Sequence, residues 1–125
     1  MPVSHDRDVP AFERFGNFMQ GLATPSRGAS EVMVWRTRVA PGGGPPVHTH
    51  DHEEVVVIVS GTGTFSEADG VKHAFGPGDV LFAAAGVVHE LRADEGVAVE
   101  WIACMPSGTR TLTPDGDELP TPWAD

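Results

Sequence analysis

Glycine and proline are bunched in this chain, and the bunching sets what it can fold into. Spread evenly, 15 glycines and 11 prolines in 125 residues would suggest disorder. They cluster instead at Pro41-Gly42-Gly43-Gly44-Pro45-Pro46, Gly61-Thr62-Gly63 and Gly76-Pro77-Gly78. Val-rich runs lie between the clusters. Short apolar runs between turn signals read as an all-β sandwich or barrel. The length fits one domain with a core large enough to fold without staples.

The expected strands follow the runs. Residues 31–40 alternate, with Met33, Trp35, Thr37 and Val39 on one face. Residues 53–60 carry Val55 to Val59, apolar on both faces, as in a strand covered on its second side by a further subunit. Residues 64–75 form a hairpin around Asp69-Gly70, read as a two-residue type I′ turn. That register sets Glu67 opposite Lys72, and Ser66 opposite an inward His73. Gly76-Pro77-Gly78-Asp79 fits a type II turn. Residues 80–85 and 87–92 flank Gly86, with Val87, His89 and Leu91 sharing a face. Residues 97–104 close a set of about seven strands. Residues 1–28 form an arm. Its Phe12, Phe15 and Met19 have the spacing of an amphipathic turn or helix, suited to docking on the body or crossing to the partner of a homodimer. The body spans residues 29–106. Residues 107–125 form an irregular tail.

Composition narrows the function classes. The net charge is −10, with a single lysine, Lys72, and scattered arginines, which argues against a nucleic-acid partner. No run is long enough to span a membrane, and no leader-like apolar stretch opens the chain. The chain has one cysteine, Cys104, and no tyrosine, so no internal disulfide and no cysteine–tyrosine crosslink can form. A cytoplasmic setting is expected. Cys104 reads as a small core residue.

The chemistry concentrates in the histidines. His48, His50 and Glu54 have even spacing and point to one side of an extended chain. Two imidazoles and a carboxylate make most of a site for a first-row divalent ion. His89, on an inward face, is the candidate fourth ligand. His52 shares the phase but sits at a turn, and is assigned to the rim or to the layer behind the ligands. Glu53 points away. His73 is assigned to the core or the pocket, as is Trp101. Arg36 and Arg38 could clamp a carboxylate, though a solvated strand face is the plainer reading.

Two motifs then stand out. Gly42, five residues, His48-Thr49-His50, three residues, Glu54, six residues and Gly61 resembles the first motif of the cupin superfamily. Gly78, then Gly86, two residues and His89 is similar to its second motif, with Ala84 and Ala93 where proline and asparagine are usual. The resemblance spans roughly residues 31–105 and resembles that of the small single-domain members. It implies a double-sheet jelly-roll barrel holding one divalent metal ion per chain on His48, His50, Glu54 and His89. Iron or manganese suits that donor set best; zinc, nickel and cobalt also fit. The implied function is a metal-dependent enzyme on a small organic substrate, a dioxygenase-like oxidoreductase with Glu54 able to act as a base. The alternatives are an isomerase, lyase or decarboxylase, or a non-catalytic ligand-binding module. The expected pocket lining is Val56, Ile58, Val87, Leu91 and Trp101. Its open end is expected beside the Gly42–Pro46 loop, flexing at three glycines. A homodimer packed sheet to sheet is expected.

Overall fold

Alternating apolar residues and positive-φ turns give two facing layers of strand. The computed structural model describes residues 2–125. Its strands are β1 (Phe12–Arg14), β2 (Asn17–Ala23), β3 (Val32–Val39), β4 (Thr49–His50), β5 (Glu54–Ser60), β6 (Gly63–Glu67), β7 (Lys72–Phe75), β8 (Val80–Ala83), β9 (His89–Ala93), β10 (Val99–Pro106) and β11 (Thr111–Leu112). One sheet runs β1-β2-β3-β10-β5-β8; the opposite layer contains β7-β6-β9 and the pair β11-β4. His48 and His89 exchange backbone hydrogen bonds, at 3.2 and 2.9 Å, and so tie β4 to β9. The result is a double-sheet jelly roll.

The core lies between the layers. Alternate residues of β3, β5 and β10 point into it: Met33 and Trp35, Val56 and Ile58, Trp101, Ala103 and Met105. Phe65, Phe75 and Leu91 meet them from the other layer. Truncating one such fully buried side chain, Ile58, to alanine would cost about 2–5 kcal/mol. The other side of β5 is bare: Val57 and Val59 are exposed, and so are Val80 and Phe82 on the neighbouring β8.

Four strands lie outside the expected set: β1, β2, β4 and β11. Phe12, Phe15 and Met19 do not lie on a helix. Arg14 pairs with Asn17, so Phe15-Gly16 is a two-residue hairpin turn, and β2 goes on to pair with β3 of the same chain. The tail from Pro106 is also partly ordered, because β11 pairs with β4.

The Asp69-Gly70 hairpin has a different register. Ser66 pairs with Lys72 and Phe65 with His73. The Asp69 carboxylate accepts the Val71 N–H at 3.0 Å, and the Gly70 N–H reaches Glu67 O at 2.9 Å. This local turn takes one more residue than a type I′ loop and slips the pairing by one. His73 is exposed on edge strand β7 rather than inward. The Gly76–Asp79 turn closes as expected, with Asp79 N–H on Gly76 O at 3.1 Å and Gly78 at φ 87°. Among the described residues no helix is long and apolar enough to cross a membrane.

Candidate metal centre and its pocket

Strands β4, β5 and β9 bring the four expected side chains together. Ligand-type atoms of His48, His50, Glu54 and His89 lie within 4.8 Å of one another, and all four residues are buried. Glu54 Oε1 is 3.4 Å from both His50 Nε2 and His89 Nε2. The ring centroids of His48 and His89 are 4.4 Å apart, and those of His48 and His50 4.9 Å.

Each imidazole is anchored through its far nitrogen. His48 Nδ1 donates to Pro46 O at 2.7 Å and His89 Nδ1 to Val87 O at 3.1 Å. His50 Nδ1 lies 3.1 Å from the Thr111 hydroxyl, which can accept its proton. With Nδ1–H engaged, each Nε2 carries a lone pair directed at the cluster. His50 Nε2, His89 Nε2 and Glu54 Oε1 are buried with no hydrogen-bond partner. Orphaned buried polar atoms are costly, and a shared cation satisfies all three at once. The residues present therefore fit a divalent metal ion.

Electrostatics agree. Burial, reinforced by the neighbouring His89 and His50, lowers the His48 pKa to about 4, so its ring is neutral and free to ligate near pH 7. Burial by itself would raise the Glu54 pKa. When the His50 and His89 rings carry the proton, their hydrogen bonds and positive charge more than offset that and hold the carboxyl below the usual carboxylate range. A divalent ion on three neutral imidazoles and this carboxylate would carry a net charge of +1.

Other candidates fall elsewhere. His52 is half-exposed and pairs with Asp51 at 2.8 Å, because the chain bends between β4 and β5. Arg38 and Arg36 reach Glu100, at 2.7 and 3.8 Å, on the outer sheet face, so neither clamps a ligand in the pocket. Cys104 is half-buried on that outer face rather than in the core, and burial raises its thiol pKa.

A pocket descends to the cluster and meets it at His48 and Glu54. Leu91 and Trp101 line it as expected, whereas Val56, Ile58 and Val87 do not; the first two are packed into the core. All three tryptophans border it: Trp35, Trp101 and Trp123. Pro45 and Pro46 border it too, so it opens beside the Gly42–Pro46 loop. That loop is fastened to the residues that follow His89. Ala93 N–H reaches Gly43 O at 2.8 Å, and a Cβ on Gly44 would sit 2.1 Å from Leu91 O. Glycine is needed there for close approach. Two walls escaped the sequence reading: Arg14, Phe15, Asn17 and Met19 from the β1–β2 hairpin, and Leu119, Pro120, Thr121 and Trp123 from the tail. Two signals pointed to them: a Phe-Gly pair between apolar runs, and a tryptophan far outside the motif region.

Comparison with known proteins bears on this fold and site. The family pattern described as "Cupin domain" matches residues 35–105. The chain belongs to the cupin family. Auxin-binding protein 1 of Arabidopsis thaliana is 43% identical over 42 residues, covering 34% of this chain and 21% of that protein. Among solved structures, the polyketide cyclase RemF from Streptomyces resistomycificus superposes with a TM-score of 0.76 at 23% identity, covering 87% of this chain and 81% of its own. Oxalate decarboxylase from Bacillus subtilis gives 0.72 at 18% identity, covering 82% of this chain and 28% of its own. The two structural likenesses show the fold.

Proposed function

We propose that the chain is a divalent-metal enzyme acting on a small organic molecule, a dioxygenase-like oxidoreductase in the first reading. One observation carries the enzyme reading: the three-histidine, one-carboxylate cluster lies at the foot of an apolar pocket. The metal, when bound, supplies a Lewis acid and, if it is iron or manganese, a redox centre. The chain does the rest. His48, His50 and His89 would hold the ion, and their Nδ1 partners fix the rings. Glu54 would neutralise part of its charge and, once released from the ion, is the candidate base at the pocket floor. Trp35, Leu91 and Trp101 exclude water around the reacting atoms.

A second reading is non-redox isomerase, lyase or decarboxylase chemistry. It is favoured by structural neighbours named for cyclisation and decarboxylation. Iron(II) loading under anaerobic conditions separates the two. The dioxygenase reading predicts an electron paramagnetic resonance signal on adding nitric oxide, and O₂ uptake with a chelating substrate. Protein that holds zinc and gives no such signal after iron loading supports the non-redox reading. Protein whose metal exchanges no solvent or ligand at all is a binding module instead.

The same reading includes a homodimer through the bare side of the six-stranded sheet, where Phe82 is 66% exposed. The single cysteine, with no disulfide, suits a cytoplasmic setting.

A further inference from the structure

The β1–β2 turn spends conformational energy on a bulky residue in the wrong place. Arg14 pairs with Asn17 across a two-residue loop, and Phe15 and Gly16 have φ of 56° and 77°. Both central residues of a type I′ turn need positive φ, which suits asparagine or glycine and strains phenylalanine. Phe15 is the one non-glycine residue with positive φ among the described residues. It is also 62% exposed, so neither turn geometry nor core packing accounts for it. Strain of this kind concentrates at functional sites.

Phe15 and Arg14 both border the pocket that ends at His48 and Glu54. The Arg14 guanidinium lies 5.5 Å from the Phe15 ring centroid. Among the described residues no carboxylate lies within salt-bridge distance of it, in a chain with 18 acidic residues. On the wall made by the tail, the Trp123 indole N–H is buried without an acceptor. A lip of one exposed ring and one unpaired cation stands over an apolar, tryptophan-rich pocket.

We propose that this lip selects the substrate, a flat aromatic molecule bearing an anionic oxygen group. Phe15 stacks on its ring and Arg14 pairs with its anion. The assignment rests on the metal-enzyme reading for what happens at the pocket floor, but the lip itself needs no metal.

Three matched probes test it by calorimetry and by quenching of the pocket tryptophans: 2-naphthoate, 2-naphthalenemethanol and the non-planar decalin-2-carboxylate. The naphthoate should bind tightest. Arg14→Gln should weaken the naphthoate about 10- to 100-fold, the range of a charge-assisted hydrogen bond, and leave the alcohol unchanged. Phe15→Asn should weaken both naphthyl probes about 2- to 10-fold, as for loss of an aromatic pair. The same substitution should raise Tm by about 2–5 °C by relieving the turn. The proposal is overturned if decalin-2-carboxylate binds as well as the naphthoate, or if no probe binds. It is equally overturned if Arg14→Gln weakens acid and alcohol alike, or if Phe15→Asn leaves binding intact. Protein that contains no metal yet shows the expected pattern retains the lip and loses the metal reading. Metal-replete protein without the pattern does the reverse.

Discussion

Lowering the pH of metal-free protein should destabilise it through His48. The folded ring takes a proton only near pH 4, against 6.5 for an ordinary histidine. Between those values the unfolded chain binds the proton and the folded chain does not. Stability therefore falls as pH drops through this window and levels off below it. The gap corresponds to about 3 kcal/mol at its limit, and about 2 kcal/mol is already lost at pH 5. For a domain of this length that is a drop in Tm of roughly 8 °C. Glu54 acts in a separate window. Its lowered pKa contributes stability above the ordinary value of 4.5 and loses it only as pH falls below that. The assay is urea unfolding with chelator between pH 8 and 5, for wild type and His48→Gln. The variant should lose up to one proton's worth of slope between pH 6.5 and 5. Identical slopes for the two proteins would refute the buried neutral ring.

Three further outcomes follow from particular contacts. Thr111→Val should weaken metal affinity about 10- to 100-fold, read by chelator competition, because the hydroxyl that orients His50 is removed. Gly44→Ala should destabilise by about 1–3 kcal/mol in chemical denaturation, since its Cβ would collide with Leu91 O. Phe82→Asp, on the bare side of the sheet, should turn a dimer into a folded monomer by light scattering, and a wild type that is monomeric at high micromolar concentration contradicts the dimer outright.

The cluster of three histidines and Glu54 was legible in the sequence because strand parity is a short-range property. His48, His50 and Glu54 share a phase, and His89 shares one with buried Leu91. Parity by itself would also admit His52, which has the same phase and is set aside only by its place at a turn. Asp51 accepts the Arg110 N–H at 2.8 Å, and the chain bends there and carries His52 out to solvent. That contact comes from a residue 59 positions away and leaves no local trace. The hairpin register failed for the opposite reason: a local bond from Asp69 outcompeted the turn type its dipeptide favours. The tail wall was illegible because its anchoring strand β11 pairs with the distant β4, and the hairpin wall because β1 and β2, which continues onto the neighbouring β3, were read as a helical turn. Spacing shows that Phe12, Phe15 and Met19 are apolar in step, but two short strands around a Phe-Gly turn have the same apolar residues as a helical turn.

Metal content decides the central claim most directly. Tag-free protein, purified without added metal and measured by inductively coupled plasma mass spectrometry, should hold about one divalent first-row ion per chain. His50→Ala and His89→Ala should each empty the site, while His52→Ala should keep it filled. A folded wild type that takes up no stoichiometric ion even after loading, or a His52→Ala variant that empties while His50→Ala stays full, would contradict the account.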